Sequence, residues 1–458
     1  MISGQRMKYI LKIYYLFFLI LLFLPAALLL GYEEQSHAER PNIIVLLADD
    51  LGYGDLSSYG SHNIRTPHID SLAEEGMRFT SYLTGSLCVP SRTQLMTGLY
   101  LPRVGYGGRT GVGGKGGLPD SVITLAEGLK EAGYHTGMAG KWHLGYQKKK
   151  YLPTGQGFDS WLGLPYSHDY QPPWYPTAEP LRMYRNNDRI KGPVTLDSLT
   201  VRYTNEATRF ITEHGNKEQP FFFYLAYNMP HLPIRTTTEF RGRSKAGLYG
   251  DVVETIDWSV GQILHTLKEQ GISENTLLFF ASDNGPWKTL PRRMLKAGVE
   301  PRHQGSTGSL RGSKRTTYEG GTRVPGIIRW PTQIPAGQVS SQLAATPDIY
   351  QTLMEIGGAA LPPYPLDGYN LMPWLSGQNK YSPRNQYAYF LYGKLEAMVV
   401  GDWKLRIASK NTQLFNLKVD PEERFNRAKD FPKIVRQIRS RMLQMAKQVG
   451  VPLAQSGK

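Results

Sequence analysis

Four groups of polar residues in this chain stand directly behind apolar runs. Asp49-Asp50 follow Asn42–Ala48, and Lys141 and His143 follow the segment ending at Ala139-Gly140. His231 comes a few residues after Phe221–Ala226, and Asp283-Asn284 follow the run ending at Ala281. Singly, each has a plain structural reading: Asp-Asp behind a strand makes a turn or a helix cap, and Asp-Asn-Gly is a common tight turn. Together their chemistry is coherent. Asp49, Asp50, Asp283 and Asn284 offer only oxygen, which hard cations such as Ca2+ or Mg2+ prefer. Ca2+ tolerates irregular sets of about 6–8 ligands, whereas Zn2+ would want more histidine or thiolate. Arg92, Lys141, His143, His231 and Lys314 are cationic or can become so. A cation ringed by such groups suits an anionic tetrahedral substrate, phosphate or sulfate, whose negative charge grows on transfer.

For these groups to meet, the apolar runs must be strands sharing one carboxyl edge. Asn42–Ala48 and Phe221–Ala226 are continuous apolar runs, as expected of strands buried on both faces, and Thr276–Ala281 reads the same way. Between them lie helical segments. Thr66-Pro67 supplies a cap and a first-turn proline for a helix that Gly76 closes. Thr124 to Glu131 is helical up to Gly133, and Asp251 to Gln270 reads as a long helix stopped by Gly271. Strands alternating with helices predict an α/β fold: a large, mostly parallel sheet flanked by helices, with ligand sites at the carboxyl ends of its strands.

After about Gly377 the pattern changes to short strand-like pieces at Tyr387–Leu391, Ala397–Val400 and Trp403–Ile407, then a basic helix from Pro432. This predicts a catalytic domain over 39–376 and a smaller C-terminal domain over 377–458, an antiparallel sheet with one helix, joined near Tyr364–Ser376. The glycine- and lysine-rich stretches Arg103–Pro119 and Gln147–Pro153, with Trp287–Gly308, are expected to wall a substrate cleft.

Residues 1–38 carry a basic start (Arg6, Lys8, Lys12), an apolar run from Ile13 to Leu30, and Ser36-His37-Ala38 as a small-x-small site. This reads as a cleaved export signal, with an uncleaved membrane anchor as the alternative. The protein is therefore expected in a periplasm or outside the cell, touching a membrane only through that segment. The chain of 458 residues has 53 Lys+Arg against 38 Asp+Glu, a net charge of +15, and 40% apolar residues, which excludes a disordered chain. The basic balance points to acidic partners. No nucleic-acid module is recognisable. The single cysteine, Cys88, excludes a disulfide scaffold and soft-metal sites. Read alone, it is either an inert buried thiol or a chemical group retained for use.

The residues around it carry a family resemblance. Ser86-Leu-Cys-Val-Pro-Ser-Arg92, continuing Thr93-Gln-Leu-Met-Thr-Gly98, is similar to the first sulfatase signature, and Gly133-Tyr-His-Thr-Gly-Met-Ala-Gly-Lys-Trp-His143 resembles the second. Asp49–Asp55 and Lys314–Pro325 also resemble sulfatase segments, and Pro165-Tyr-Ser-His-Asp169 looks like the arylsulfatase A and N-acetylgalactosamine-6-sulfatase branch. The resemblance implies the alkaline-phosphatase-like sulfatase fold and a formylglycine made from Cys88 by a maturation enzyme. Its hydrate would place two hydroxyls on one carbon, one to attack sulfur and expel the alcohol, the other to release sulfate.

The resemblance also implies roles. Asp49, Asp50, Cys88, Asp283 and Asn284 would hold Ca2+, with Mg2+ as the alternative. Arg92 would hold the hydrate, and Lys141 and Lys314 would bind sulfate oxygens. His143 would be the base for sulfate release. His231, with Lys314, would protonate or steady the leaving oxygen, and Ser167 would orient His143 or a diol oxygen. Val89 departs from the pattern, in a slot where a small or hydroxylated residue is more usual. The substrate would be a sulfated small molecule or glycan. Two other readings remain: a phosphonate monoester or phosphodiester hydrolase of the same superfold, and a non-catalytic binder of sulfated glycans with Cys88 unconverted.

Overall fold

The computed structural model describes residues 40–454 apart from Arg109, Ser409 and Lys410, so the signal or anchor expected over 1–38 lies outside the described residues. In chain order the strands of the main body are β1 (Asn42–Ala48), β2 (Met77–Phe79), β3 (Tyr82–Leu83), β4 (His135–Lys141), β5 (Ser160–Leu164) and β6 (Tyr184–Arg185). They continue with β7 (Asp188–Arg189), β8 (Phe221–Ala226), β9 (Thr276–Ser282), β10 (Gly326–Arg329), β11 (Gln338–Ser340) and β12 (Ala344–Ala345). Ten of these form one sheet in the order β11-β2-β10-β9-β1-β8-β4-β5-β6-β7.

The five central strands, β9-β1-β8-β4-β5, are parallel. Strand β10 runs antiparallel to both β9 and β2, so the sheet is mixed. Every residue of β8 and β9 is buried, as continuous apolar runs require when helices cover both faces. Helix Leu199–His214 packs on β4 and β8, and helix Pro67–Glu74 lies against β10 and the long helix Gly247–Glu269. That long helix begins at Gly247, ahead of the expected Asp251.

One expected cap is made differently. Thr66 precedes helix Pro67–Glu74, but its hydroxyl donates to Asp70 Oδ1 at 3.2 Å, accepts from Ser57 N at 2.9 Å and caps no N–H of that helix. Asp257, on the long helix 188 residues further along, accepts from Ile69 N at 2.8 Å instead.

The C-terminal sheet has four strands in sequential antiparallel order, β13 (Gln386–Leu391), β14 (Lys394–Val400), β15 (Trp403–Ala408) and β16 (Asn411–Asn416). The fourth strand was not foreseen. Helix Pro432–Gln448 packs across β14 and β15, burying Ile438, Met442 and Ala446. A second cluster of buried apolar residues sits there and includes Leu83, Tyr100 and Ala345 from the main body.

Candidate active site

The parallel strands bring the four polar groups to one edge. Asp49 and Asp283 leave neighbouring strands in register, with Asp49 N donating to Met229 O and Asp283 N to Ala48 O. Lys141 ends β4, next to β8. Gly140 precedes it at φ 111, and a Cβ there would meet Ala226 O at 1.8 Å, so the close approach of β4 to β8 requires glycine.

Cys88 opens the helix Cys88–Thr97, of which every residue but Pro90 is buried. Burial on all sides is tolerated because Ser91, Thr93 and Thr97 return their hydroxyls to the carbonyls four residues back, at 2.7–2.9 Å. Arg92 lies one turn after Cys88, on the same face. Its Nε and Nη2 donate to Asp283 Oδ2 at 3.0 and 2.9 Å, and its Nη1 to Lys141 O at 2.8 Å. Tyr224, unmarked in the sequence reading, also lies within reach of Nη1 at 3.4 Å.

Around this frame the charges are dense and dry. Cys88 Sγ stands 3.5 Å from Asp49 Oδ1 and accepts from Lys314 Nζ at 3.4 Å. Lys141 Nζ pairs with Asp49 Oδ2 at 2.6 Å, and Lys314 Nζ with Asp50 Oδ1 at 2.7 Å. Asp50 N donates to Asp283 Oδ1 at 3.1 Å, and Asn284 Nδ2 to Asp50 Oδ1 at 2.6 Å. His231 Nε2 lies 3.6 Å from Asp50 Oδ2, a contact the sequence did not announce.

Burial would raise Asp49, but the cations Lys141, Arg92 and Lys314 hold its carboxyl well below the usual range. Asp50 is pushed up to about 7 by burial, opposed by Lys314 and reinforced by Asp49 and Asp283. Asp283 is raised for the same reasons, burial first. Burial, then the neighbouring Asp283, also raises the Cys88 thiol, which therefore stays protonated and a poor nucleophile as it stands.

This donor set fits a hard divalent cation. Ligand atoms of Asp49, Asp50, Cys88 and His231 lie within 4.8 Å of one another. Asn284 Oδ1 is buried without a hydrogen-bond partner, one more oxygen for such an ion. Two raised carboxylates beside a third are what a cation would relieve. Asp283 has Oδ2 engaged by Arg92 and is not in the four-residue cluster.

A cleft of about 750 Å³ opens over the site, with Cys88, His143, Ser167, His231 and Lys314 in its lining. Lys141 is fully buried and absent from that wall. His143 Nδ1 and Ser167 Oγ are both buried without partners, so no bond joins them and Ser167 does not orient the imidazole here. Burial first, then Lys141 and Arg92, keeps His143 well below its usual value. Burial and Lys314 do the same to His231, whose Nδ1 lies 2.7 Å from Leu232 O. Both imidazoles are therefore neutral, and the Leu232 carbonyl fixes the proton of His231 on Nδ1.

Six non-glycine residues among those described have positive φ: Asp50, His143, Arg315 and Tyr392 stand at or around this cleft, with Asn186 and Glu423 elsewhere. Backbone strain of this kind persists where the surroundings impose it and clusters at functional sites.

Of the expected loop walls, Gly107, Gly108, Thr110–Gly114, Trp287 and Arg293 line the cleft, but nothing from Gln147–Pro153 does. Gln147–Lys150 are exposed instead, and only Tyr151–Pro153 pack against the body, with Trp142 Nε1 donating to Tyr151 O at 2.7 Å. Tyr170 and Tyr175 face the cleft, whereas Tyr166 is buried behind Tyr146 and Tyr170. Trp287 lies under the cations of Lys314 and Arg315, 5.1 and 5.2 Å from its ring.

A buried acidic cluster flanked by lysines, an arginine and two neutral histidines, at the carboxyl edge of a parallel sheet, defines a hydrolase for an anionic tetrahedral ester. The sulfatase family model matches residues 41–359, and the C-terminal model of N-sulphoglucosamine sulphohydrolase matches 312–448. Human arylsulfatase A is 38% identical over 410 residues, spanning 85% of this chain and 78% of that protein. The N-acetylgalactosamine-6-sulfatase of Canis lupus familiaris is 38% identical over 406 residues, 84% of this chain and 74% of its own. Among solved structures, the PsFucS1 sulfatase from Pseudoalteromonas sp. superposes with a TM-score of 0.80 at 28% identity, covering 90% of this chain and 91% of that one. The chain belongs to the sulfatase family and is a sulfuric ester hydrolase.

Proposed function

We propose that this hydrolase cleaves a sulfate monoester of an aryl or sugar alcohol through Cys88 converted to formylglycine. A Ca2+ ion would be held by Asp49, Asp50, Asp283, Asn284 and the converted residue 88, with His231 close by. The observation that carries the reading is Cys88 Sγ in the cleft wall, within reach of Asp49 and Lys314. When bound, the cation and the aldehyde hydrate supply Lewis acidity and a paired hydroxyl nucleophile.

The chain's own groups supply the rest. Arg92 fixes Asp283, and Lys141 keeps Asp49 ionised from beneath the cleft. Lys314, an ammonium in the cleft wall, neutralises sulfate oxygens and steadies the leaving oxygen. His143, neutral with a free Nδ1, accepts the proton during sulfate release. His231, neutral with Nδ1 tied to Leu232 O, presents Nε2 toward Asp50 and can donate a proton only after taking one up. Ser167 offers an unengaged hydroxyl to the hydrate.

We assign 39–376 to the catalytic domain and 377–458 to a smaller C-terminal domain. The segment 1–38 would export the enzyme to a periplasm or beyond, where a maturation enzyme has already acted on Cys88. Among the described residues no helix is long and apolar enough to cross a membrane. Mass spectrometry of the Cys88 peptide, with kcat/KM on matched aryl sulfate and aryl phosphate esters, tests the reading. Conversion with sulfate preferred supports it; phosphate preferred by about tenfold or more overturns it.

A further inference from the structure

A second cavity, of about 290 Å³, lies beside the catalytic cleft, between the nucleophile segment and the C-terminal sheet. Leu87, Pro90, Leu101, Gly107, Tyr392 and Gly393 line both spaces, so the two lie side by side along a shared wall. Away from that shared wall the cavity is bounded by the apolar surfaces of Tyr387, Tyr389, Phe390 and Val451, with Thr84, Ser86, Gln94 and Thr322 also in its lining. The two phenols are already engaged, Tyr387 donating to Gln94 Oε1 and Tyr389 to Glu319 Oε1, each at 3.0 Å. What they offer a ligand is ring surface. Thr84 Oγ1 already donates to Asp283 O and Thr322 Oγ1 to Tyr318 O, and Gln94 Oε1 accepts from Tyr387, while Ser86 Oγ is buried without a partner. A sugar entering here would bring more hydroxyls than these groups can pair, whereas a hydrocarbon would not.

The turn at the doorway gives an independent observation. Tyr392-Gly393 joins β13 to β14 with φ 48 and 75, a two-residue hairpin loop in which Asn-Gly is the favoured pair. A bulky ring in the left-handed region is an outlier, and Tyr392 remains 67% exposed, so its own burial does not account for it. The β13–β14 register also shifts at Tyr389/Phe390, a bulge that re-aims side chains beside the cavity.

We propose that this cavity receives an apolar extension of the substrate's alcohol, with Tyr392 as the specificity residue at its entrance. The inference rests on the hydrolase reading above and narrows it to sulfate esters of alcohols bearing an alkyl or aryl body. The volume holds roughly nine or ten water-sized groups, room for a chain of about six to eight methylenes.

The test compares phenyl sulfate with 4-hexylphenyl sulfate, whose leaving groups are matched and whose tails differ. The expected kcat/KM ratio favours the hexyl ester by about tenfold or more, since each methylene buried contributes about fourfold. V451F fills the cavity from the side away from the cleft and should cut that ratio about tenfold, while V451A retains it. Y392N gives the turn a residue it prefers, so it folds, and it should also lower the ratio. A ratio near one in the parent enzyme, or one unmoved by V451F and Y392N, overturns the proposal. Should neither ester turn over although Cys88 is converted, the hydrolase reading has failed. Calorimetry with ethyl and octyl sulfate then reads the cavity alone: V451F must weaken octyl sulfate selectively, and equal affinities in the parent protein overturn the inference.

Discussion

The segment that carries Lys314 is tied to the C-terminal sheet by buried charge, and removing one lysine measures that tie. Lys404, on β15 and fully buried, stands 2.7 Å from Glu319 Oε1 and 3.0 Å from Glu423 Oε1. Arg323 meets Glu319 Oε2 at 2.6 Å, so two carboxylates face two cations. Burial would raise Glu319, but Lys404 and Arg323 hold it down at about 2. K404M keeps an unbranched chain of similar volume and leaves one buried negative charge in surplus. Removing one partner of a buried pair costs about 3–5 kcal/mol.

The pH dependence follows from the same charges. Glu423 is already raised by burial and by Glu319 against the pull of Lys404, and without Lys404 it rises further. A carboxyl whose folded value exceeds its unfolded value of about 4.3 destabilises as pH rises between the two, by up to about 1.4 kcal/mol per pH unit. The deficit of K404M should thus be largest near pH 7.5 and shrink toward pH 5, where the surplus carboxylate takes up a proton. Urea unfolding followed by tryptophan emission at both pH values, with aryl sulfate turnover in parallel, reads it. K404M/E423Q removes the surplus charge and should recover more than half of the loss. A deficit under about 1 kcal/mol, equal at both pH values and untouched by E423Q, would refute the reasoning.

Other consequences can be checked directly. C88A deletes the nucleophile precursor, so turnover should fall about 10³-fold or more while the chain still folds, read by the retained cooperative unfolding transition. Chelation should lower the midpoint of the parent protein, and added Ca2+ restore it, because an ion bound at about 100 times its Kd contributes about 2.7 kcal/mol; D50N should show a much smaller chelator effect. Asp257 is raised by burial from 3.8 to about 7, which destabilises the fold above its unfolded value and most fully above pH 7. D257N keeps an acceptor for Ile69 N, so it should raise Tm at pH 8, by at most about 4 kcal/mol of stability, and give no gain at pH 4. In G140A a Cβ must enter the space of Ala226 O, so soluble, active protein should be lost; an active G140A with an unchanged midpoint would contradict the packing of β4 on β8.

Much of the architecture was legible because it is written in local patterns. Unbroken apolar runs at Asn42–Ala48, Phe221–Ala226 and Thr276–Ala281 read as strands covered on both faces, and the parallel sheet they imply already sends Asp49, His231 and Asp283 to one edge. The signature around Cys88 and the oxygen-only donor set likewise stand in the sequence alone. Other features depend on partners far apart in the chain, and no window of sequence contains them. Helix Cys88–Thr97 is buried nearly all round, so it has no polar stripe to betray its period. The cap that Asp257 places on Ile69, and the Lys404–Glu319–Glu423 network, arise only when distant segments pack. Tertiary structure alone brought His231 Nε2 beside Asp50, left Ser167 Oγ and His143 Nδ1 unbonded in one cleft wall, and kept Gln147–Pro153 out of that wall. It also set Tyr392, an ordinary aromatic in the sequence, on a strained turn between two cavities. Period and composition determine which elements form; packing and desolvation decide which of their side chains meet, and with what charge.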